Sequence, residues 1–389
     1  MVIRRTLWVG LVMLAAASPA VATVSAPGTA PHSIGLAITG WRVTMASPPD
    51  QKVECPDGLV ASNLAQFKAQ FPDPKDREAW IARYASPWNR GPHGENAAYF
   101  PETVQDPLPY HEVKGAAAVG LDLDEGAWGQ GPAHPLAHEQ FVSPTGEQGI
   151  DNQFYRASGC QQGWRKGGEQ EEDNQNRIAL DPHARILIEI DNVTDETNDP
   201  DVTVTIMKGV DRLVKDDAGN FIPFLSQRVD QSLPRYVSRL HGRIVDGVLI
   251  TDPIEAARLP MVNGSDLRER LMRNFRLKLK LGASGASGVV GGYEDLANLW
   301  IWITRPWHAV FEIGGWSAPS YWAALQRLAD GYPDPVTGKA TAISVGYRVD
   351  AVRCFIVSDR GGDFEQPLDV ARRAAPPPKV APSKVATRN

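Results

Sequence analysis

The chain has 389 residues, with 40 Lys and Arg against 46 Asp and Glu, for a formal net charge of −6. An acidic balance without a long basic run excludes an ordinary nucleic-acid binder, which needs positive charge to displace counterions from phosphates. At 42% hydrophobic and 22% charged residues the chain is neither disordered nor wholly embedded in a membrane, and its 35 Gly and 31 Pro, about a sixth of the residues, announce many turns.

Residues 1–22 carry the marks of a secretory signal. Arg4 and Arg5 form a positive start, Leu7 to Ala17 is an apolar stretch, and Ala20-Val21-Ala22 offers small side chains at the two positions a signal peptidase reads. The expectation is a cleavable signal peptide and a periplasmic or secreted protein; an uncleaved anchor is the competing reading. No later segment approaches the roughly 18 uninterrupted apolar residues of a membrane helix, so no membrane span is expected.

Residues 23–50 read as a linker followed by a first strand over Ile34 to Trp41. Residues 51–165 form a helix- and loop-rich region. Within it, Leu64, Phe67 and Phe71 follow helical spacing behind Ser62, Pro72 and Pro74 break the run, and Asp76 caps a second short helix bearing Trp80, Ile81 and Tyr84. Residues 85–150 are dense in turn chemistry but carry scattered apolar residues, the mark of a long ordered loop.

Residues 166–373 are expected to be β-rich. ARILIEIDNV, VTVTIMKGV and the run around RLHGRIVDGVLIT alternate in period 2; SDLRERLMRNF reads as a helix, FRLKLKL as a strand, GASGASGVVGG as a wide turn or small strand pair, and LWIWIT as a strand. SAPSYWAALQRLADG is a helix with Ser317 as N-cap, Trp322, Leu325 and Leu328 on one face and Gly331 as its stop, and ISVGYRVDAVRCFIV closes the fold. Residues 374–389 form a basic, Pro-rich tail expected to be disordered. The fold class expected is mainly β: a β-sandwich of jelly-roll or lectin-like type, or an α+β fold, with short N-terminal helices and a long ordered central loop.

Cys55, Cys160 and Cys354 are too widely spaced for a redox pair, haem attachment or a zinc finger. One disulfide is expected, Cys55–Cys160, because both sit beside turn residues while Cys354 lies in an apolar strand.

The candidate chemistry is mostly acidic. Asp122 and Asp124 stand two apart, so on an extended chain both carboxylates project to one side; Glu147, Asp151 and Asn152 follow from a Gly-bearing turn. Hard oxygen donors on loops suit Ca²⁺, and the competing reading is that they cap turns. The acidic loop from Asp191 to Asp201 offers the same choice, with a solvated hairpin loop preferred. His134 and His138 lie four apart, but Pro135 and the absence of the HExxH order leave zinc behind calcium. There is no GxSxG elbow, no SxxK and no phosphate loop, so catalytic residues stay unassigned. Trp300 and Trp302, with Leu299, Ile301 and Ile303 on the other strand face, read as core packing, and an aromatic platform of Trp300, Trp302 and Trp316 for a sugar ring is the functional alternative.

These features lead to an exported, non-catalytic binding or accessory protein of the cell envelope, with a carbohydrate or an envelope protein as partner and calcium as the metal. An extracytoplasmic hydrolase using the loop carboxylates, with or without a histidine metal site, and a structural envelope component are the alternatives.

Overall fold

The computed structural model describes residues 30–44, 110–125, 138–161, 169–263, 266–304 and 318–358, with Trp164 and scattered residues between 72 and 103. The expected signal peptide, the C-terminal tail, Cys55, His134 and Trp316 lie outside them, as does most of the expected helical stretch 61–84. Within that stretch residues 74–76 are helical, and the side chain accepting the Lys75 N–H is Asp73 (2.8 Å) rather than Asp76.

The chain is mainly β. Its strands are β1 (His32–Val43), β2 (Ile186–Val193), β3 (Asp199–Lys208), β4 (Leu225–Arg228), β5 (Ser238–Val245), β6 (Val248–Thr251), β7 (Ile254–Asn263), β8 (Asp266–Leu281), β9 (Gly285–Asp295), β10 (Gly331–Pro333) and β11 (Ala340–Val357). They belong to one sheet. Strands β1, β2, β3, β5, β6, β8, β9 and β11 are neighbours in that order, all antiparallel, and β11 returns to pair with β1, with Leu36 opposite Arg353 and Val43 opposite Tyr347. The result is an eight-stranded antiparallel barrel in place of the two stacked sheets of a sandwich. Strands β4, β7 and β10 attach outside this circuit, β4 in parallel to β11.

Alternation places one side of each strand inward. Ile34, Leu36 and Ile38, Ile186, Ile188 and Ile190, Val202, Val204 and Ile206, and Ile343, Val345 and Val349 fill one core. The bulge between Ile38 and Gly40 restores Trp41 and Val43 to the inside. The helices extend this core: α1 (Gln153–Ser158), α2 (Glu169–Leu180), α3 (Leu296–Thr304) and α4 (Ala318–Leu328). Helix α4 forms where expected and buries Leu325 and Leu328, but Tyr321 is buried while the expected Trp322 is half-buried, and the helix ends at Leu328 with Gly331 already opening β10; α1 and α2 carry no signal that stood out from the surrounding loop. No helix among the described residues is long and apolar enough to cross a membrane.

Three segments differ from expectation. SDLRERLMRNF is strand, the first part of β8, because pairing with β7 on one side and β9 on the other overrides the helix propensity of its Leu, Arg and Glu. A bulge between Arg273 and Arg276 disguises its period. LWIWIT is helix: Leu296, Leu299, Trp300 and Ile303 are buried at helical spacing, and Asp295 caps the start by accepting the Asn298 N–H at 3.1 Å.

The glycine stretch, expected as a wide turn or a small strand pair, turns only at 282–284 and then forms the body of β9, a long strand paired with both β8 and β11. Its glycines permit tight coiling, since a Cβ at Gly288 would run into the Lys278 carbonyl oxygen of β8. Gly288→Ala is therefore expected to destabilise the barrel by about 2 kcal/mol or more, read as a shifted urea midpoint at unchanged slope.

Outside the barrel, residues 110–125 and 138–161 wrap β9 and β11. Leu121 and Leu123 pack on Tyr293 and Ala342, and Phe141, Ile150, Tyr155 and Cys160 form a small core of their own. Cys354 is a buried free thiol, in line with its expected exclusion from a disulfide.

Candidate functional site

The wrapped segment brings three carboxylates together. Leu121 pairs with Asp151 as an antiparallel bridge, the Asp151 N–H donating to the Leu121 carbonyl at 3.0 Å. Leu121 and Leu123 turn toward β9 and β11, so Asp122 and Asp124 turn the other way, toward the Asp151 side chain. One oxygen from each of Asp122, Asp124 and Asp151 lies within 4.8 Å of the others. Gly149, at φ 75°, keeps the 146–151 turn close to Asp122: a Cβ there would stand 3.1 Å from Asp122 Oδ2.

The trio is built into the fold. Asp151 Oδ2 accepts the Leu123 N–H at 2.8 Å and its Oδ1 accepts Gln140 Nε2 at 3.0 Å; the same Nε2 donates to Asp124 Oδ1 at 3.2 Å. Arg276 of β8 ties the segment down through the Asp122 and Leu123 carbonyls, each at 3.0 Å, and Asn274 Nδ2 reaches the Leu123 carbonyl at 2.6 Å. Burial pushes the Asp151 carboxyl up to about 6; the donors from Leu123 and Gln140 oppose the rise, and the neighbouring Asp124 and Asp122 add to it. Converging negative charge of this kind is relieved by a proton or by a cation.

Asp124 also lines a surface cleft of about 470 Å³. The other walls include Leu123, Glu125, Asn274, Arg276, Tyr293 and Tyr332. The two tyrosine rings meet edge to face at 5.7 Å, and the Arg273 guanidinium sits 4.7 Å from the Tyr332 ring centre. Behind them Asp330 is buried, with Ser344 donating its N–H (2.7 Å) and its hydroxyl (2.6 Å) to the carboxylate.

The remaining sequence candidates lie elsewhere. Glu147 pairs with Lys278 on the barrel wall. Asn152 is the N-cap of α1, its Oδ1 accepting the Tyr155 N–H at 3.0 Å while its Nδ2 donates to Thr44 Oγ1 and the Val119 carbonyl. Its amide is spent on structure. His138 donates to the Ala329 carbonyl at 3.2 Å, and burial holds its pKa down. Trp300 is core, against Tyr321 and Trp322, and Trp302 stacks on Trp164 at 5.7 Å; both pack on the core as the preferred reading had it, but from helix α3 and not from a strand face. In the second acidic loop Asp199 gathers the Thr194 N–H and hydroxyl and the Asp201 N–H, so it organises the β2–β3 turn, as the hairpin reading expected.

Arg276, Asn274, Tyr293, Tyr332 and Asp330 carry no local signal, because each meets Asp124 or its neighbours only through the barrel wall. The chain matches no protein-family model, and no curated protein or solved structure matches it.

Proposed function

We propose that the protein is a non-catalytic binding protein, exported to the cell envelope, whose ligand cleft is organised by a calcium ion at Asp122, Asp124 and Asp151. The convergence of three carboxylate oxygens within 4.8 Å beside the cleft carries this reading. The donor set is all oxygen, the preference of a hard cation, and no histidine joins it among the described residues. Carbohydrate is the ligand class supported best, because the half-buried Tyr332 shares the cleft walls with the Asp124 and Glu125 carboxylates, an aromatic ring beside polar acceptors. Export rests on residues 1–22.

Calcium titrated into chelator-treated protein, followed calorimetrically, is expected to bind at one site with Kd of about 10⁻⁴ M, in the range of extracellular modules. Saturating calcium should raise Tm by a few degrees, since a ligand of the native state stabilises it by mass action. Asp124→Asn should weaken binding at least tenfold, and a glycan array should show calcium-dependent retention. No heat and no Tm shift would remove the calcium reading; stoichiometric zinc in purified protein would remove the non-catalytic one.

A hydrolase is the second reading, favoured by one observation: Asp151 holds its proton up to about pH 6 beside two other carboxylates, the pairing used in general acid–base work. Asp151 is only 5% exposed and bound to three donors, which places it under the cleft instead of in it.

A further inference from the structure

The inner face of the barrel holds a second charged site, back to back with the first. Tyr293 faces outward to the cleft; its neighbour Glu294 faces inward. There it meets Arg270 of β8, with Nε 3.3 Å from Glu294 Oε1, and the same oxygen accepts the Tyr347 hydroxyl at 2.7 Å. The Arg270 guanidinium lies 4.3 Å from the Trp302 ring centre and 4.6 Å from that of Tyr347. Trp302 in turn stacks on Trp164, and Tyr347 packs against Trp41.

The guanidinium is 97% hidden from solvent, yet neither Nη1 nor Nη2 has a hydrogen-bond partner. Burial alone does not account for this. Arg185, equally buried, sends its three nitrogens to four backbone carbonyls. A fold that gives every nitrogen of one interior guanidinium a partner leaves the outer edge of another without one, and that edge suits an acceptor from outside. Glu294 already occupies the Nε side. The open Nη pair is a planar fork of the spacing that two carboxylate oxygens match, and the surrounding rings favour an apolar body attached to them.

We propose that Arg270 anchors an internal binding site for a small organic carboxylate, whose oxygens take Nη1 and Nη2 and whose apolar part lies against Trp302 and Tyr347. The site is independent of calcium and of the outer cleft.

The test titrates full-length protein in chelator with acetate, benzoate, octanoate and inorganic phosphate, following tryptophan fluorescence and heat. Benzoate or octanoate is expected to bind one per chain, at least tenfold more tightly than acetate, and to change the fluorescence. Arg270→Lys, which keeps the charge but loses the fork, should weaken binding at least tenfold. Trp302→Phe should bind comparably while losing most of the fluorescence change, which places the probe beside that ring; Asp124→Asn should bind like the native chain. No carboxylate binding at millimolar concentration, affinity unchanged in Arg270→Lys, or binding of phosphate alone would each overturn the proposal, and none of these results bears on the calcium titration.

Discussion

Replacing Arg185 with leucine is expected to cost about 4 kcal/mol or more of unfolding free energy. Arg185 stands just before β2 and is completely buried. Its Nη1 donates to the Ile38 carbonyl at 2.8 Å, beside the β1 bulge, and to the Ile178 carbonyl at 3.1 Å; Nη2 donates to the Ala179 carbonyl at 3.1 Å and Nε to the Asp211 carbonyl at 3.2 Å. Ile178 and Ala179 belong to the last turn of α2, whose carbonyls have no partner within the helix, and a cation there also meets the negative end of the helix dipole. One side chain thus fastens α2, a β-bulge and the 211 loop together. Leucine would strand three buried acceptors at about 1–3 kcal/mol each, and a fourth, the half-buried Asp211 carbonyl, at less. Burial lowers the Arg185 pKa, but only to about 10, so the group stays charged at neutral pH. Arg185→Lys keeps the charge but cannot reach four acceptors, and should fall between the two. Urea unfolding measures all three; a loss below about 1 kcal/mol for the leucine variant would show that water replaces the guanidinium.

Raising the pH from 5 to 8 is expected to destabilise the protein, by about 2–3 kcal/mol through Asp330 alone. Burial pushes this carboxyl from 3.8 up to about 7, against the two donors from Ser344. Below pH 3.8 both folded and unfolded chains hold the proton and the group contributes no pH dependence. Above that value the unfolded chain releases its proton while the fold keeps it, so stability declines as pH rises, until the folded carboxyl also ionises and the cost levels off above pH 7. Asp151, pushed to about 6, adds a smaller part of the same sign. Asp330→Asn should flatten the dependence by more than half. An unchanged slope in that variant would place its origin elsewhere.

What was legible in the sequence follows from how local each signal is. β1, β2 and β3 announce themselves because Ile34, Leu36 and Ile38, Ile186 to Ile190, and Val202 to Ile206 repeat in period 2, and that is also the side they bury. The same rule placed Asp122 and Asp124 on one side, where they meet. It failed at β8, where a bulge breaks the period, and at α3, where Trp and Ile suggest a strand although Asp295 caps a helix. Barrel and sandwich share their local patterns; only the pairing of Leu36 with Arg353 separates them, and nothing near either residue encodes it. Glu147, Asn152 and His138 sit close in sequence to the acidic trio but are spent on Lys278, on the α1 cap and on the Ala329 carbonyl. Asp330, just before β10, and Arg276 of β8 reach the site from segments that no spacing rule connects to residue 124.

The pairing of β1 with β11 also sets a timetable. A ribosome releasing about 5–20 residues per second needs on the order of 15–60 s to travel from one strand to the other. Until β11 emerges, β1 has its β2 neighbour but a bare opposite edge, and the apolar side of every intervening strand faces an unfinished interior. Such an edge invites the wrong partner, and contacts this distant in sequence make for slow closure. The last strand therefore acts as the latch on the whole interior.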